Sequence, residues 1–490
     1  MIDASVYFMK NIVPIIFMVA LIFGESVAQV DTLFADYANN DQIIQWNHEY
    51  HQTLTMKLFL AQAGYDGKLK RKDNGNNTVY LTFEAALEAI VKMDNLSLGI
   101  PKIVYLVGWQ YNGHDSKYPA WFEVNSALKR EEDETALASL IWLMEEAKKY
   151  HTTVSLHVNM FDAYSDSPLW DTYLANDIIA RNKDGSLREG EWGYPISYAQ
   201  EMKTGYAQKR IDSLCVLLPI SEAGTIHIDA FHGWAPIGKN GPGRRPFIKG
   251  PISPFLGYSV EQEAEAQKQI FKYWASKGVD VTSEGAVFLR EDNFAGLQPM
   301  SWWVDWGLED YMKWPASYYS GGTDSRDLGK IFGTSMHGED IARNDPKNLN
   351  GFKKEFCNRT LVWYYLNQLD RKYFIVGKNE KSVQFSEGVA TKLENEILSI
   401  KKDGKSIVTQ GDIFVPALWM EDASVIAYSE KGYQDKQWDL PDAWSTSNSV
   451  EVLEVSIAGK KLLGEIPITD NKVVLDLKPD QMVVIKALKK

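Results

Sequence analysis

The first three quarters of the chain alternate short apolar runs with segments whose apolar residues recur at helical spacing. The apolar runs are residues 53–60, 102–107, 153–157, 226–228 and 279–281. The helical segments are residues 82–93, 135–150, 260–277 and 361–369. Because strands that alternate with helices usually pair in parallel, the pattern predicts an α/β fold built around a parallel sheet.

Polar and aromatic residues gather directly after the predicted strands. Residues 108–121 (GWQYNGHDSKYPAW) follow the second strand, and residues 158–168 (VNMFDAYSDSP) follow the third. A (β/α)8 TIM barrel builds its active site from such loops, at the carboxyl ends of its strands. A doubly wound sheet would show the same alternation, but no glycine-rich phosphate turn follows the first strand. We expect a TIM barrel over residues 29–378, with later strands near 302–311 and 330–340.

Towards the C-terminus the pattern changes to short runs in which apolar and polar residues alternate with period two. Residues 406–419, 449–463 and 472–479 are examples, and turn residues separate them. Such alternation predicts strands with one buried face, and short strands joined by tight turns predict antiparallel pairing. We therefore expect a C-terminal antiparallel β-sandwich domain over residues 379–490.

The N-terminus has the features of an export signal. Lys10 precedes an apolar run at residues 12–23, and Ser26-Val27-Ala28 provides the small residues at which signal peptides are cleaved. The apolar run is too short for a membrane span. We expect residues 1–28 to be a signal peptide and the mature protein to be periplasmic or secreted.

Composition narrows the choice of partners. A formal net charge of −13 argues against nucleic acid as the main partner. The 16 Trp and 24 Tyr supply many flat apolar rings, which suit sugar substrates, although a large aromatic core would use them equally well. No CxxC or HExxH spacing occurs, and we expect no metal and no cofactor. Cys215 and Cys357 could form a disulfide or remain free thiols.

Two carboxylates follow consecutive predicted strands. Asp229 ends the run TIHID and Glu284 lies in the run SEG, so a barrel would place both at its mouth. Glycoside hydrolysis needs such a pair, one to attack the anomeric carbon and one to protonate the leaving oxygen. The alternative is a structural role for each acid, as a helix cap or in an ion pair with an arginine.

Two neighbours of this pair also carry polar chemistry. His227 shares a strand face with Asp229 and is expected to bind the sugar or to hold Asp229 ionised. Asp280 is a weaker candidate for the second carboxylate, because we expect it to start the strand or to point to the other face.

Four motifs occur in a recognisable order along the predicted barrel. They are residues 108–116 (GWQYNGHDS), residues 156–159 (LHVN), Ile228-Asp229 and residues 283–285 (SEG). They resemble the GHDS loop, the HIN strand end, the nucleophile strand and the acid/base strand of glycoside hydrolase family 101, the endo-α-N-acetylgalactosaminidases. The resemblance covers roughly residues 103–306. It implies a retaining α-glycosidase with Asp229 as nucleophile and Glu284 as acid/base.

The same resemblance implies which side chains bind the substrate. His114 or Asp115, together with His157, would contact hydroxyls of the sugar at the cleavage point. Tryptophans after the strands are candidate stacking platforms, and burial of each in the loop core is the open alternative. The candidate substrate-binding residues are Trp109, Gln110, His114, Asp115, His157, Asn159, His227, Trp302, Trp303 and Trp306.

Two features differ from that family. The chain is shorter than its usual members, and residues 233–259, rich in Gly, Pro and basic residues, form an insertion close after Asp229. The short architecture is also similar to family 129, which contains related α-N-acetylgalactosaminidases. We expect a hydrolase of O-glycan-type α-linked N-acetylgalactosamine or of a related α-galacto-configured sugar. An α-galactosidase, an α-glucan hydrolase and a catalytically inactive carbohydrate-binding protein are the alternatives.

Overall fold

The computed structural model describes residues 31–34, 46–66, 72–190, 192–231, 252–283, 297–299, 316–318, 334–336, 338–377, 380–394 and 397–488. Its first strands are β1 (Asp31–Phe34), β2 (Leu54–Phe59), β3 (Ala61–Tyr65), β4 (Asp73–Val79), β5 (Lys102–Val107), β6 (Thr152–Val158), β7 (Asp162–Ala163), β8 (Tyr194–Pro195), β9 (Thr225–Ile228), β10 (Asp280–Ser283) and β11 (Leu297–Pro299). Its helices are α1 (Phe83–Ser97), α2 (Ala136–Glu146), α3 (Trp170–Ala175), α4 (Tyr198–Thr204), α5 (Tyr206–Leu217), α6 (Ile220–Ala223), α7 (Val260–Ser276), α8 (Ile341–Asn344), α9 (Asn350–Glu355) and α10 (Leu361–Leu366). Within these residues, no helix has both the length and the apolar character needed to cross a bilayer.

Six parallel strands form one sheet in the order β11–β10–β9–β6–β5–β2. Strands β2 and β5 are buried at every position, as expected for a parallel sheet that is covered on both faces. The sheet is curled. Tyr105 on β5 reaches Thr225 Oγ1 on β9 at 2.6 Å across the intervening strand β6, and the hydroxyl of Tyr50, before β2, reaches the same atom at 2.7 Å. These polar side chains meet on the inner face of the curl.

Helices on the outside of this sheet begin where the sequence provides caps. The hydroxyl of Thr82 accepts a hydrogen bond from the amide of Ala85 at the start of α1. Helix α7 opens with a capping box between Ser259 and Gln262. Its apolar side packs into the main core through Ile270, Phe271 and Trp274.

The predicted alternation of strands and helices is confirmed, with boundaries that differ by a few residues. A closed (β/α)8 barrel is not confirmed, because the parallel sheet of the described residues has six strands. The candidate strand 302–311 lies outside the described residues. Residues 334–336 lie beside β2, where the amide of Met336 donates to the carbonyl oxygen of Thr55 at 2.9 Å. Cys215 and Cys357 are free thiols.

The C-terminal strands are β12 (Arg371–Val376), β13 (Glu380–Phe385), β14 (Val389–Glu394), β15 (Ile397–Lys402), β16 (Lys405–Thr409), β17 (Asp412–Pro416), β18 (Val425–Ser429), β19 (Tyr433–Asp439), β20 (Ser449–Ser456), β21 (Gly459–Pro467), β22 (Lys472–Leu477) and β23 (Gln481–Ala487). Eleven antiparallel strands of the described residues form a second sheet in the order β1–β12–β13–β14–β15–β16–β17–β18–β23–β20–β21. The predicted antiparallel C-terminal part is thereby confirmed, and the predicted boundary after residue 378 falls between β12 and β13.

The central strands of this second sheet are apolar on both faces. Along β17, Ile413 and Val415 belong to the main core, whereas Phe414 belongs to a separate core on the opposite face. The two-stranded sheet β19–β22 contributes Trp438 and Val473 to that separate core. The expected sandwich therefore takes the form of one large sheet with a small second layer.

Candidate active site

Polar side chains converge at the carboxyl ends of β5, β6 and β9. His157, near the end of β6, places Nε2 3.6 Å from Oδ1 of Asp229. The ring of His114 lies against that of His157, with centroids 5.3 Å apart, and His114 Nε2 is 3.6 Å from Oδ2 of Asp115. Residues distant in sequence meet here because the carboxyl ends of parallel strands share one edge of the sheet. This cluster is the candidate active site.

Asp229 is the first residue after β9. Its amide donates to the carbonyl oxygen of Val158 at 2.8 Å, which extends the pairing of β9 with β6 by one residue. The chain turns at the next residue, Ala230, whose φ of 45° is left-handed. The side chain of Asp229 remains 22% exposed. A carboxylate at a strand end, partly open to solvent, is positioned to meet a ligand.

Opposing charges act on Asp229. Burial raises the pKa of its carboxyl group, and the positive charges of His114 and Lys57 act to lower it. The negative charges of Asp115 and Glu339 act to raise it further. The net pKa of Asp229 is above its ordinary value, so the carboxyl group is closer to protonation than a solvated aspartate.

The β3–β4 hairpin fixes the loop that carries His114 and Asp115. Gly108 lies so close to Ala61 that an added Cβ would stand 2.0 Å from the carbonyl oxygen of Ala61. The amide of His114 donates to the same oxygen at 2.9 Å. Asp115 has a φ of 61°, which residues other than glycine seldom adopt. The close approach and the left-handed backbone together set the direction of both side chains.

Asp73, at the start of β4, holds this loop through its carboxylate. It accepts hydrogen bonds from Ser116 Oγ at 2.6 Å and from Asn112 Nδ2 at 3.1 Å. Lys117 lies 3.4 Å from Asp73 and 2.6 Å from Asp166. Burial raises the pKa of Asp73, but these contacts outweigh burial and hold the pKa below its usual value. The anchor of the loop is therefore ionised at neutral pH.

Trp109 and Gln110 are buried beneath the cluster. The indole N–H of Trp109 donates to the carbonyl oxygen of His157 at 3.1 Å, and Gln110 Nε2 donates to the hydroxyl of Tyr118 at 2.9 Å. Of the two alternatives for Trp109, the structure shows burial in the loop core. The predicted contact of Trp109 and Gln110 with substrate stays a prediction.

His227 is fully buried on the inner face, next to His157. The two rings have centroids 5.1 Å apart, and the ring of Tyr105 lies 5.5 Å from that of His227. His227 Nδ1 is 3.1 Å from Thr282 Oγ1 on β10. This position supports the ring of His157 from below, and the predicted contact of His227 with the sugar stays a prediction.

Asn159 organises the turn after β6. Its Oδ1 accepts from the amides of Phe161 and Asp162 at 2.7 and 2.8 Å, and its Nδ2 donates to Asp162 Oδ2 at 3.0 Å. Burial raises the pKa of Asp162 well above its ordinary value, and the charge of Asp115 adds to this effect. Asn159 thus shapes the loop behind Asp115, and its predicted role in substrate binding stays a prediction.

Four predicted site residues, Glu284, Trp302, Trp303 and Trp306, lie outside the described residues, as does most of the insertion at 233–259. The described part of β10 ends at Ser283, whose Oγ donates to the carbonyl oxygen of Ile228 at 2.8 Å. The chain therefore leaves β10 directly beside the end of β9.

Sequence analysis did not single out two charged residues of the site, Lys57 and Glu339. Lys57 lies in the middle of β2 with its side chain 2% exposed, and its Nζ is 2.8 Å from Glu339 Oε1. A lysine inside the apolar run 54–60 was the available signal, because a buried ammonium group needs a partner. Glu339 offered no comparable signal, since it lies at the polar end of the candidate strand 330–340.

Among the described residues, one group has ligand atoms close enough together to reach a single metal ion. One atom each of His114, Asp115 and Asp229 lies within 4.8 Å of the others. The same imidazole and carboxylates also offer the donors and acceptors that sugar hydroxyls require. The geometry alone accommodates either kind of ligand.

Comparison with known families identifies the segment that carries this cluster. A model of glycoside hydrolase family 101, described as endo-alpha-N-acetylgalactosaminidase, matches residues 74–277. The matched segment includes the cluster from His114 to Asp229 and ends before Glu284. The match confirms the predicted resemblance and, at the level of this segment, the predicted enzyme class, a glycoside hydrolase.

Three solved structures are similar at low sequence identity. The alpha-N-acetylgalactosaminidase NagBb from Bifidobacterium bifidum is 12% identical, with a TM-score of 0.48 over 72% of this chain and 57% of that one. The GH36 alpha-galactosidase AgaA from Geobacillus stearothermophilus is 13% identical, with a TM-score of 0.43 over 93% and 57%. An Anoxybacillus alpha-amylase is 12% identical, with a TM-score of 0.40 over 90% and 99%. The chain spans just over half the length of the first two.

Proposed function

We propose that the protein hydrolyses α-linked N-acetylgalactosamine of the O-glycan type, or a related α-galacto-configured glycoside, with net retention. Asp229 attacks the anomeric carbon while Glu284 protonates the glycosidic oxygen, and Glu284 then deprotonates the water that releases the sugar. The observation that carries the proposal is the contact of His157 with Asp229, beside His114 and Asp115, within the segment that family 101 matches.

The neighbours of Asp229 suit this chemistry. The nucleophile has to be ionised, and the positive charges of His114 and Lys57 oppose the rise that burial causes in its pKa. His157 and Asp115 provide a donor ring and a carboxylate for the hydroxyls of the bound sugar. A metal ion bound to Asp229 would draw charge from the carboxylate that attacks the sugar. We therefore assign His114, Asp115 and Asp229 to the sugar and no metal ion to the site.

We propose that the parallel sheet is part of a (β/α)8 ring. Residues 334–336 support this, because they lie along the edge of β2 that a closing strand would occupy. Glu284 follows β10 as Asp229 follows β9, so a continuing strand would direct both acids to the mouth. For retention the two carboxyl groups should lie roughly 5–5.5 Å apart.

The division of the chain and its export are further parts of the proposal. Residues 29–378 form the catalytic barrel and residues 379–490 the C-terminal domain. The change from a parallel sheet that ends at β11 to antiparallel pairing of every described strand after β12 supports this division, and β1 and β12 are the strands of the barrel segment that belong to the C-terminal sheet. Residues 1–28 are removed on export, as the apolar run and the small residues before Gln29 indicate. N-terminal sequencing of protein recovered outside the cytoplasm should begin at Gln29.

A panel of aryl α-glycosides tests the substrate. We expect the highest kcat/KM for the N-acetylgalactosaminide, lower values for the galactoside and little release from the glucoside. Preference for the galactoside or the glucoside would instead identify an α-galactosidase or an α-glucan hydrolase. Binding of all three without release would identify an inactive carbohydrate-binding protein and defeat the proposal.

A further inference from the structure

A cavity of about 500 Å³ lies between α10 and the carboxyl end of β17. Its volume falls within the range of about 300–1,000 Å³ that is typical of small-molecule sites. None of its lining residues belongs to the cluster of His114, Asp115, His157 and Asp229 at the carboxyl ends of the parallel strands. This C-terminal cavity is therefore separate from the candidate active site.

The wall of the C-terminal cavity is mostly apolar. Leu369 follows α10, Ile407 lies on β16, Pro416 ends β17, and Leu440 follows β19. Leu418, just after β17, lines the same cavity and remains 44% exposed. A ligand that covers Leu418 would remove apolar surface from water, which favours a ligand with an apolar face.

Tyr365, on α10, brings a polar atom to this wall. The residue is 4% exposed, and among the described residues its hydroxyl has no hydrogen-bond partner. Burial raises the pKa of Tyr365 to about 12, and the negative charges of Glu387 and Asp403, which also line the cavity, act in the same direction. A buried hydroxyl without a partner costs stability, and a ligand in the cavity would supply the missing partner.

The rim of the cavity carries charges of both signs. Lys402 Nζ lies 3.3 Å from Glu387 Oε2, and Lys405 Nζ lies 3.3 Å from Asp442 Oδ1. Because each lysine has a carboxylate beside it, neither presents an uncompensated charge that would select an anion. Ammonium groups donate hydrogen bonds and carboxylates accept them, so the rim suits a neutral ligand with several hydroxyl groups.

We propose that the C-terminal cavity binds a neutral sugar, whose C–H face covers the apolar wall and whose hydroxyl groups bond to the rim and to Tyr365. A pyranose ring combines an apolar face with a polar edge, and the wall and rim provide the complement of each. The site goes beyond the proposed hydrolysis, because it gives the protein a contact with sugar that is separate from Asp229.

Methyl NMR separates this site from the active site. The methyl resonances of Ile407 and Ala417, which both line the cavity, are followed in the full chain during titration with galactose and with N-acetylgalactosamine. They should shift and saturate equally in the wild type and in Asp229→Asn. Galacturonate, which differs from galactose by one carboxylate, should need a higher concentration for half-saturation, since Asp403 and Asp439 at the rim repel it.

Tyr365→Phe removes the hydroxyl and keeps the ring. It should raise the half-saturating concentration about three- to ten-fold, because the sugar loses one hydrogen bond. It should not lower Tm, since the hydroxyl has no partner among the described residues. Tyr428→Phe is the matched control, because Tyr428 donates to Asp480 Oδ1 at 2.8 Å and does not line the cavity. The control should lower Tm and leave the titration unchanged.

Ala443→Trp fills the cavity from an exposed position on its rim and should abolish the shifts. Val216→Trp, at a position on α5 that is 88% exposed, is the control and should leave the titration unchanged. If Tyr365→Phe does not fold, Ala443→Trp decides, and persistence of the shifts in that variant overturns the proposal.

No saturable shift with either neutral sugar, tighter binding of galacturonate, or an unchanged titration in Tyr365→Phe would each overturn the C-terminal sugar site. Absence of turnover in the wild type would instead defeat the proposed function. The NMR titration does not depend on turnover, so the two failures are distinguishable.

Discussion

The two sheets of the molecule bury very different side chains. The inner face of the parallel sheet encloses Lys57, Tyr105, Ser155, His157, Thr225, His227, Asp280 and Thr282. The central strands of the antiparallel sheet enclose Ile413, Phe414, Val415, Ile426, Val484 and Ile485. Buried polar groups cost stability unless each has a partner, whereas buried apolar groups stabilise directly. The contrast indicates that the buried side chains of the parallel sheet serve a functional site, whereas those of the antiparallel sheet serve packing.

Because of this contrast, we expect substitutions in the parallel sheet to affect activity and substitutions in the antiparallel sheet to affect stability. In the parallel sheet, a substitution that removes a polar group at the mouth should lower turnover while the fold persists. In the antiparallel sheet, removal of apolar volume should lower the free energy of unfolding while the folded fraction stays active. Each of the following variants tests one side of this separation.

Asp229→Asn should have the largest effect. We expect kcat to fall by about a thousand-fold or more, because the amide cannot attack the anomeric carbon, with Tm close to that of the wild type. Asp280→Asn is the matched control, since Asp280 lies on the same inner face at the opposite end of the sheet. Ordinary turnover in Asp229→Asn would remove Asp229 from the mechanism.

Phe414→Ala tests the packing side of the contrast. Phe414 is buried and stacks on Trp438 with ring centroids 5.0 Å apart, so its loss should lower the free energy of unfolding by about 3–5 kcal/mol. Urea denaturation measures the loss, and Leu418→Ala, at an exposed position, is the control. Turnover per folded molecule should not change, and a fall in that quantity would show that the second sheet shapes the active site.

His157→Gln should have a smaller effect on catalysis than the loss of the nucleophile. The imidazole Nε2 lies 3.6 Å from Asp229 Oδ1, so its removal weakens the polar surroundings of the nucleophile, and we expect kcat/KM to fall by about 10- to 100-fold. Steady-state kinetics and Tm are measured together. A large fall in Tm with unchanged kinetics would assign His157 to packing instead.

Asp280→Asn should change only the dependence of stability on pH. Burial raises the pKa of Asp280 to about 6, although hydrogen bonds from Asn47 and Tyr50 act to lower it. A raised pKa in the fold means that Asp280 stabilises fully below its unfolded pKa and that this contribution is lost as pH rises towards about 6. The variant should lack this decline, which is measured as Tm from about pH 4 to about pH 8. An unchanged decline would show that another group titrates there.

The strands and helices of the parallel sheet were predictable because their periodicity is local. The run 102–107 appears as β5 without change, and the helix predicted at 260–277 differs from α7 by one residue. The pairing of β1 with β12 was not predictable, because it joins residues separated by most of the chain. No local pattern in either strand specifies such a distant partner.

Site residues next to a motif were predictable, whereas those that act through the fold were not. Asp229 was identified from a strand end and His157 from the resemblance to family 101, and the structure brings them together. The pairing of Lys57 with Glu339 depends on where residues 338–340 cross β2, and spacing in the sequence does not encode that crossing. Burial of Trp109 could not be separated from exposure, since one aromatic residue serves both roles equally well.

The anomeric configuration of the first product tests the central claim most directly. Cleavage of an aryl α-N-acetylgalactosaminide is followed by proton NMR from the first turnovers, before the released sugar equilibrates in water. Attack by Asp229 followed by attack of water inverts the anomeric carbon twice, so the α-anomer should appear first. First appearance of the β-anomer would mean a single displacement by water and would contradict Asp229 as the nucleophile.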